Sequence, residues 1–563
     1  MSLNLLRSTP DHLARLRPLI DSICVIAGAP DLSVGVVHDH VIFHESYHGY
    51  RDVDKRLEVD RNTIFHIASL TKAMTATALG ILVGDGLLEW TAPVHDILPE
   101  MARSTETHIA KLTVLDILSH RTGKAWADAL YLQSNNHILL PKNQAIPIFD
   151  YLPQVEPVRS TFMYNNHAYN IAGLVIEKVS GMSWSEFVSR RLFKPLGMSR
   201  SFTHQPDDDN VAVPYNILSN GEPWQLPFCD VSSDTLMFAG QSVRSSMSDL
   251  LRYSQAYLQA LSTITPVRTT DNSIKEPRMK SDKSLSSSYV PEHVERLSTG
   301  EQLPCNPIRE ISTIMWPYIA RPTESILEQT HALGWNRTQL PGALDFGWNQ
   351  HMLDQFPLLG QRYPGKLAIW HGGNMPGTTA AICLLPETGT AVIVLQNSLG
   401  LCDIADWICQ LIIDAIFLGE PAQDYVLLTS KCVQKGVKRM EMVEQKLLQD
   451  QIAGTKPQSI EIYCGRYFNS IKNWFIDIKL NPEAKMLYLE FLGLDKERYY
   501  LKHYHYDTFT WNLTYDELVK RGQYIRDHEY YKLEFEADSV GEINCLRWKH
   551  DKSMPWEERF CKS

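Results

Sequence analysis

The chain has 563 residues, 44% apolar and 21% charged, the balance of an ordinary globular protein too long for a single domain. A formal net charge of −11 argues against nucleic acid or an anionic membrane as the main partner. The opening "MSLNLLRSTPDHLARLRPLID" mixes Arg, Asp and His before any apolar run and does not read as a secretory signal. The most apolar stretch, "LCDIADWICQLIIDAIFLG", carries Asp403, Asp406 and Asp414, so a buried amphipathic helix is expected there and no membrane span. Ten cysteines without a C-x-x-C pair are expected as reduced, packed thiols, in a cytoplasmic protein. Asn336-Arg337-Thr338 and Asn512-Leu513-Thr514 match the glycosylation pattern, which has meaning only in a secreted chain.

In chain order, "LSVGVV" and "HVIFHESYHGY" predict a hairpin over Leu32–Asp52 with Asp39 in its turn. Helical periodicity begins near Ser69 and returns in "KLTVLDILSH" and "AYNIAGLVIEKVSG". The span 263–311 is polar, rich in Ser and Lys and aperiodic, and reads as an insertion or lid. "KLAIWHGG", "TTAAICLLPET" and "GTAVIVLQNS" predict three strands, followed by the apolar helix over 401–419. Strands at both ends with helices between them predict one α/β domain, over 1–425, whose sheet is completed by distant segments. A linker is expected over 426–458. Beyond it, "WFIDIKL", "MLYLEFLGL", "RYYLKHYHYDTFTWNL" and "YYKLEFEA" alternate apolar and polar residues, which predicts a small antiparallel barrel or sandwich over 459–563. This domain is expected to pack over a cleft of the first and to limit what enters it.

The hairpin contains His44-Glu45-x-x-His48, the spacing of a helical zinc site. On a helix, residues four apart are neighbours; on a strand rising about 3.3 Å per residue they are roughly 13 Å apart. The β-branched and aromatic run before His44 favours the strand, and no third ligand motif follows. No metal is expected.

Chemistry is better supported at Ser69-Leu70-Thr71-Lys72, an S-x-x-K pattern at a helix start. A capping box would place Glu or Gln where Lys72 stands, and a charged lysine is unfavourable at the positive end of the helix dipole. The placement suits an amine that must give up its proton, with Ser69 on the same helical face.

With "IFHIASLTKAMTA", the later "LTVLDILSHRTG", Tyr164-Asn165-Asn166 and His371-Gly372-Gly373, the chain resembles the serine β-lactamase and DD-peptidase superfamily, in the branch of class C enzymes and their fungal homologues. The resemblance covers about 15–420, apart from the polar insertion. It implies a β-lactamase/transpeptidase-like antiparallel sheet flanked by helices, an α/β (α+β) fold, and the C-terminal domain resembles the lipocalin-like β-barrel appended to such homologues. By resemblance, Ser69 would attack a carbonyl and become acylated, Lys72 would take or relay its proton, and Tyr164 would act as a phenolate-type base lowered by Lys72. Asn166 would hold a polar group of the substrate, and His371 would line the site. The backbone N–H groups of Ser69 and Asn374 would form the oxyanion hole, with Gly372 and Gly373 making room for the acyl group. Taken singly, Tyr164 reads as a core tyrosine, Asn166 as a turn residue and His371 as a strand histidine; their joint occurrence in the family's order carries the reading.

Departures narrow the substrate. Ser-Asp-Asn and Lys-Thr-Gly are missing, His371 replaces the cationic lysine, and Arg121 and Lys124 interrupt the loop after His120. The expected partner is a small-molecule ester, thioester, lactone or amide, without cofactor, handled by a serine hydrolase or acyltransferase. The alternative is a non-catalytic scaffold that retains the fold.

Overall fold

The structure is a computed structural model that describes residues 9–103, 111–130, 134–265 and 306–563. Most of the expected polar insertion therefore lies outside the described residues. Among the described residues, an antiparallel nine-stranded sheet runs Leu57–Glu58, Val41–Asp52, Asp31–His38, Thr390–Gln396, Thr378–Leu385, Leu367–Met375, Asn336–Gln339, Gln329–His331 and Ile319–Ala320. Strands from both ends of the domain thus meet at its centre, where Val34 faces Val394. Thr378–Leu385 and Thr390–Gln396 are buried along their whole length, so both faces of the sheet are covered and their sequences run apolar without alternation.

One face carries the helices Thr71–Gly84, Asn166–Ser180 and Met247–Ser262. The other carries Arg17–Ala27 and the expected apolar helix, Ile404–Leu418. Its three aspartates are buried but bonded: Asp406 to Asn349 and Gln410, Asp414 to Tyr363 and Tyr425, Asp403 as the N-cap. Among the described residues, no helix is long and apolar enough to cross a membrane.

The hairpin is as predicted, with Asp39 and His40 both at positive φ in its two-residue turn. His44 and His48 lie on its second strand. His48 Nδ1 is 2.6 Å from Asp21, while Glu45 accepts bonds from Tyr47 and Arg61. The motif is absorbed into local ion pairs on a strand.

The expected linker is instead occupied by a 26-residue helix, Tyr425–Asp450. Its first half packs against Arg17–Ala27 and Ile404–Leu418 through Tyr425 and Cys432, and its second half joins the barrel core through Met440, so the helix bridges the two domains. The C-terminal domain is a nearly closed antiparallel barrel whose nine strands run from Gly465–Phe468 to Glu558–Lys562. The seam falls between Arg498–Tyr500 and Lys502–His505. The expectation of reduced cysteines fails here: Cys545 and Cys561 face each other across neighbouring strands and form a disulfide. The seven other described cysteines are free. The barrel core is continuous with Ala127, Leu130 and Met375 of the first domain, so the domains share one apolar contact beside the serine turn.

Candidate active site

Ser69 sits in the turn Ala68–Leu70 that leads directly into the helix Thr71–Gly84. Ala68 is held at φ +45°, a conformation costly for a residue with a Cβ, immediately before the serine. Lys72, one helical turn on, is fully buried and donates to Ser69 Oγ at 2.9 Å and to the Gly240 carbonyl at 3.1 Å. Tyr164 precedes the helix Asn166–Ser180, and its hydroxyl donates to the same Oγ at 2.9 Å. The Lys72 ammonium position lies 4.8 Å from the centre of the Tyr164 ring. The structure therefore brings Ser69, Lys72 and Tyr164 together around one oxygen, and Ser69 is only 7% exposed.

Burial lowers the Lys72 amine to about 7, against a smaller opposing pull from Asp128. Burial likewise raises the Tyr164 phenol above its ordinary value; its bond to Ser69 opposes the shift and Asp128 adds to it. This differs from the expectation of a phenolate stabilised by Lys72. An amine that is half neutral near pH 7 cannot supply a full positive charge, and the dry surroundings penalise the phenolate.

Asn165 caps the helix through Ala168 N and donates to the Ala125 carbonyl. Asn166 donates to Asp128 at 2.5 Å and leaves its own Oδ1 buried and unbonded. Asp128 is raised to about 7 by burial, partly offset by the Asn166 bond and Lys72. The residues that interrupt the loop after His120 are structural: Arg121 pairs with Asp116, and Lys124 donates to the Leu152 carbonyl.

The opposite wall is the strand Leu367–Met375. It pairs with Asn336–Gln339 only up to Trp370, so His371–Met375 present a free edge. A two-residue turn, Pro376-Gly377, joins this strand to the next, with Met375 opposite Thr378. In such a hairpin the pair flanking the turn exchanges hydrogen bonds and the alternation sets the rest. The N–H and C=O of Gly372 and Asn374 therefore point to the free edge, where Ser69 lies. Gly372 and Gly373 differ from expectation in their cause. A Cβ on Gly373 would stand 2.3 Å from the Ile67 carbonyl, and one on Gly372 1.7 Å from that of Phe346. The glycines let backbone approach from both faces and so seat the serine turn against the strand.

His371 Nδ1 donates to the Gly372 carbonyl at 2.6 Å, because a carbonyl only accepts, and Nε2 is left as a buried lone pair. Burial, with Lys72 nearby, lowers this imidazole to about 3, so it is neutral near pH 7 and supplies no cationic clamp. His120, at φ +57°, accepts from Asn165 N at 3.0 Å and stacks 4.3 Å from Tyr164. His331 lies 4.9 Å from His120 and 6.5 Å from His371 and donates to Asn336. No sequence spacing links His120, His331 and Asp128 to the serine motif; only the fold gathers them around Tyr164.

The comparisons with known proteins come to the same fold. The family model described as Beta-lactamase matches residues 19–408, and one described as a domain of unknown function (DUF3471) matches 450–561. The unguisins hydrolase ungD of Aspergillus violaceofuscus is 29% identical over 183 residues, 32% of each chain. The unguisins hydrolase ungD' of Aspergillus campestris is 22% identical over 378 residues, 66% of this chain and 58% of that one. The match thus spans from about a third to somewhat over half the length of these two relatives. An octameric penicillin-binding protein homologue from Pyrococcus abyssi has a similar fold, with a TM-score of 0.53 at 19% identity, over 98% of this chain and 100% of that one. The chain belongs to the Beta-lactamase family.

Proposed function

We propose that the protein is a serine hydrolase or acyltransferase of the S-x-x-K type that forms an acyl-enzyme on Ser69 from a small ester, thioester, lactone or amide. The observation that carries this reading is the convergence of Lys72 Nζ and Tyr164 Oη on Ser69 Oγ, each at 2.9 Å, in a largely dry crevice.

In this mechanism the neutral Lys72 amine takes the Ser69 proton as Oγ bonds to the substrate carbonyl carbon. Negative charge on the former carbonyl oxygen is met by the N–H groups of Ser69 and Asn374. Tyr164, a neutral phenol, passes a proton to the leaving oxygen, sulfur or nitrogen and is reprotonated from Lys72 as the bond to that atom breaks. The acceptor, water or a second small molecule, then gives up its proton by the reverse route and releases Ser69. Asn166 offers its free Oδ1 to a polar group of the substrate. The neutral His371 supplies no positive charge to a substrate carboxylate, which supports poor β-lactam turnover. Two fungal relatives named as hydrolases support water as an acceptor.

The test is intact-mass spectrometry and peptide mapping after treatment with a fluorophosphonate. One adduct on Ser69, missing in Ser69→Ala, is the expected result. No adduct on Ser69 at any pH would reject the reading in favour of a scaffold that keeps the fold. The products of an ester substrate, free acid or acylated acceptor, separate hydrolysis from transfer.

A further inference from the structure

The free edge of the strand at His371–Met375 exposes two carbonyls, of Gly372 and Asn374, beside the serine. An acyl group that carries an amide next to its reacting carbonyl can place its N–H on such a carbonyl, as an added strand does. Both acceptors are engaged by the protein itself. His371 Nδ1 donates to Gly372 O at 2.6 Å, and the hydroxyl of Tyr524 donates to Asn374 O at 3.3 Å. Tyr524 comes from the C-terminal barrel, 150 residues away in sequence.

Tyr524 is held from several sides. The next-door Gln523 donates to Tyr499 at 2.5 Å and to Ser134 at 3.3 Å. The guanidinium of Arg526 lies 4.8 Å from the centre of the Trp126 ring and 5.3 Å from that of Tyr524. Asp551 accepts from Ala127 N at 2.8 Å, which fixes the loop that carries Asp128. Burial raises the Tyr524 phenol above its ordinary value, opposed by Arg526 and reinforced by the Asp128 carboxyl on the same side of the crevice.

We propose that Tyr524 is a specificity-determining residue of the serine site: its hydroxyl occupies the Asn374 carbonyl in place of a substrate N–H, so the site selects simple acyl esters and thioesters over acylaminoacyl ones. The proposal rests on Ser69 as the acylated nucleophile. It assigns to the barrel a chemical role, filling one hydrogen-bond position of the acyl site.

The experiment compares kcat/KM for two thiophenyl esters of nearly equal shape, levulinyl and N-acetylglycyl, which differ by a methylene in place of the amide N–H. Their ratio is independent of the fraction of folded enzyme. Wild type should favour the levulinyl ester. Tyr524→Phe, which keeps the ring and frees the carbonyl, should move the ratio toward N-acetylglycyl by about 3- to 10-fold, the worth of one hydrogen bond. Tyr524→Ala should move it in the same direction. A ratio unchanged in both variants, or a wild type that favours N-acetylglycyl, overturns the proposal. The fluorophosphonate adduct on wild-type Ser69 separates the two readings: adduct with an unmoved ratio rejects the Tyr524 assignment alone, and no adduct rejects both.

Discussion

Two regions concentrate histidine, and they differ in every respect that matters for chemistry. In the hairpin, His44 and His48 are close in sequence, lie on an extended strand, and His48 is satisfied by Asp21 and Ser46. Around the serine, His120, His331 and His371 are far apart in sequence, packed within 4.9 to 6.5 Å of one another along the chain of contacts, and each keeps an unbonded buried Nε2. Spacing in sequence gave the first group a suggestive pattern and the second none. A functional cluster is defined by where backbone geometry points its side chains, and a strand points residues four apart along a line.

The sharpest way to break this contrast is to remove groups from each region. Lys72→Ala should lower kcat/KM by about 10³-fold or more, and Lys72→Arg should not restore it, since a guanidinium stays charged and cannot take the Ser69 proton. Tyr164→Phe should cost about 10²-fold in the same steady-state assay, because the proton path to the leaving group is lost while the fold is kept. Wild-type rates in both would refute the role assignments. Acid titration should expose the buried imidazoles next. His331 and His371 fall to about 3 in the folded protein against an ordinary value of 6.5, so below 6.5 the unfolded chain binds more protons. Stability is therefore expected to fall as pH drops from about 6.5 toward about 3, by roughly 1.4 kcal/mol per pH unit for each imidazole. The thermal midpoint followed from neutral pH downward checks this, and His371→Gln should flatten the slope. The smallest effect belongs to the hairpin: His44→Ala should leave kcat/KM within about twofold, and a large loss would give that motif a function this account denies it.

The same contrast explains what was legible in the sequence. Ser69, Lys72, Tyr164 and His371 could be found because three short motifs stand in the family's order. The hairpin and the three strands near residues 366–398 could be found because β-branched runs between turn residues leave little else to form. Asp128, His331 and Tyr524 could not, because only tertiary placement brings them to the crevice. The glycine pair was located but its cause was not, since the carbonyls of Ile67 and Phe346 reach it only in the fold. The helix Tyr425–Asp450 reads as a linker in sequence because its charged residues hide a narrow buried stripe through Tyr425, Cys432, Met440 and Leu447. The Cys545–Cys561 pair needed strand register, which spacing does not supply.

The central claim is that a buried, neutral Lys72 amine activates Ser69. The measurement that tests it most directly is the single-turnover rate of Ser69 acylation by an activated ester from about pH 5 to about pH 9. Because the active form is deprotonated and Lys72 is lowered to about 7, the rate should rise through an apparent pKa near that value and then level off. A rate that is flat across the range, or that rises only where a phenol ionises, would contradict the account.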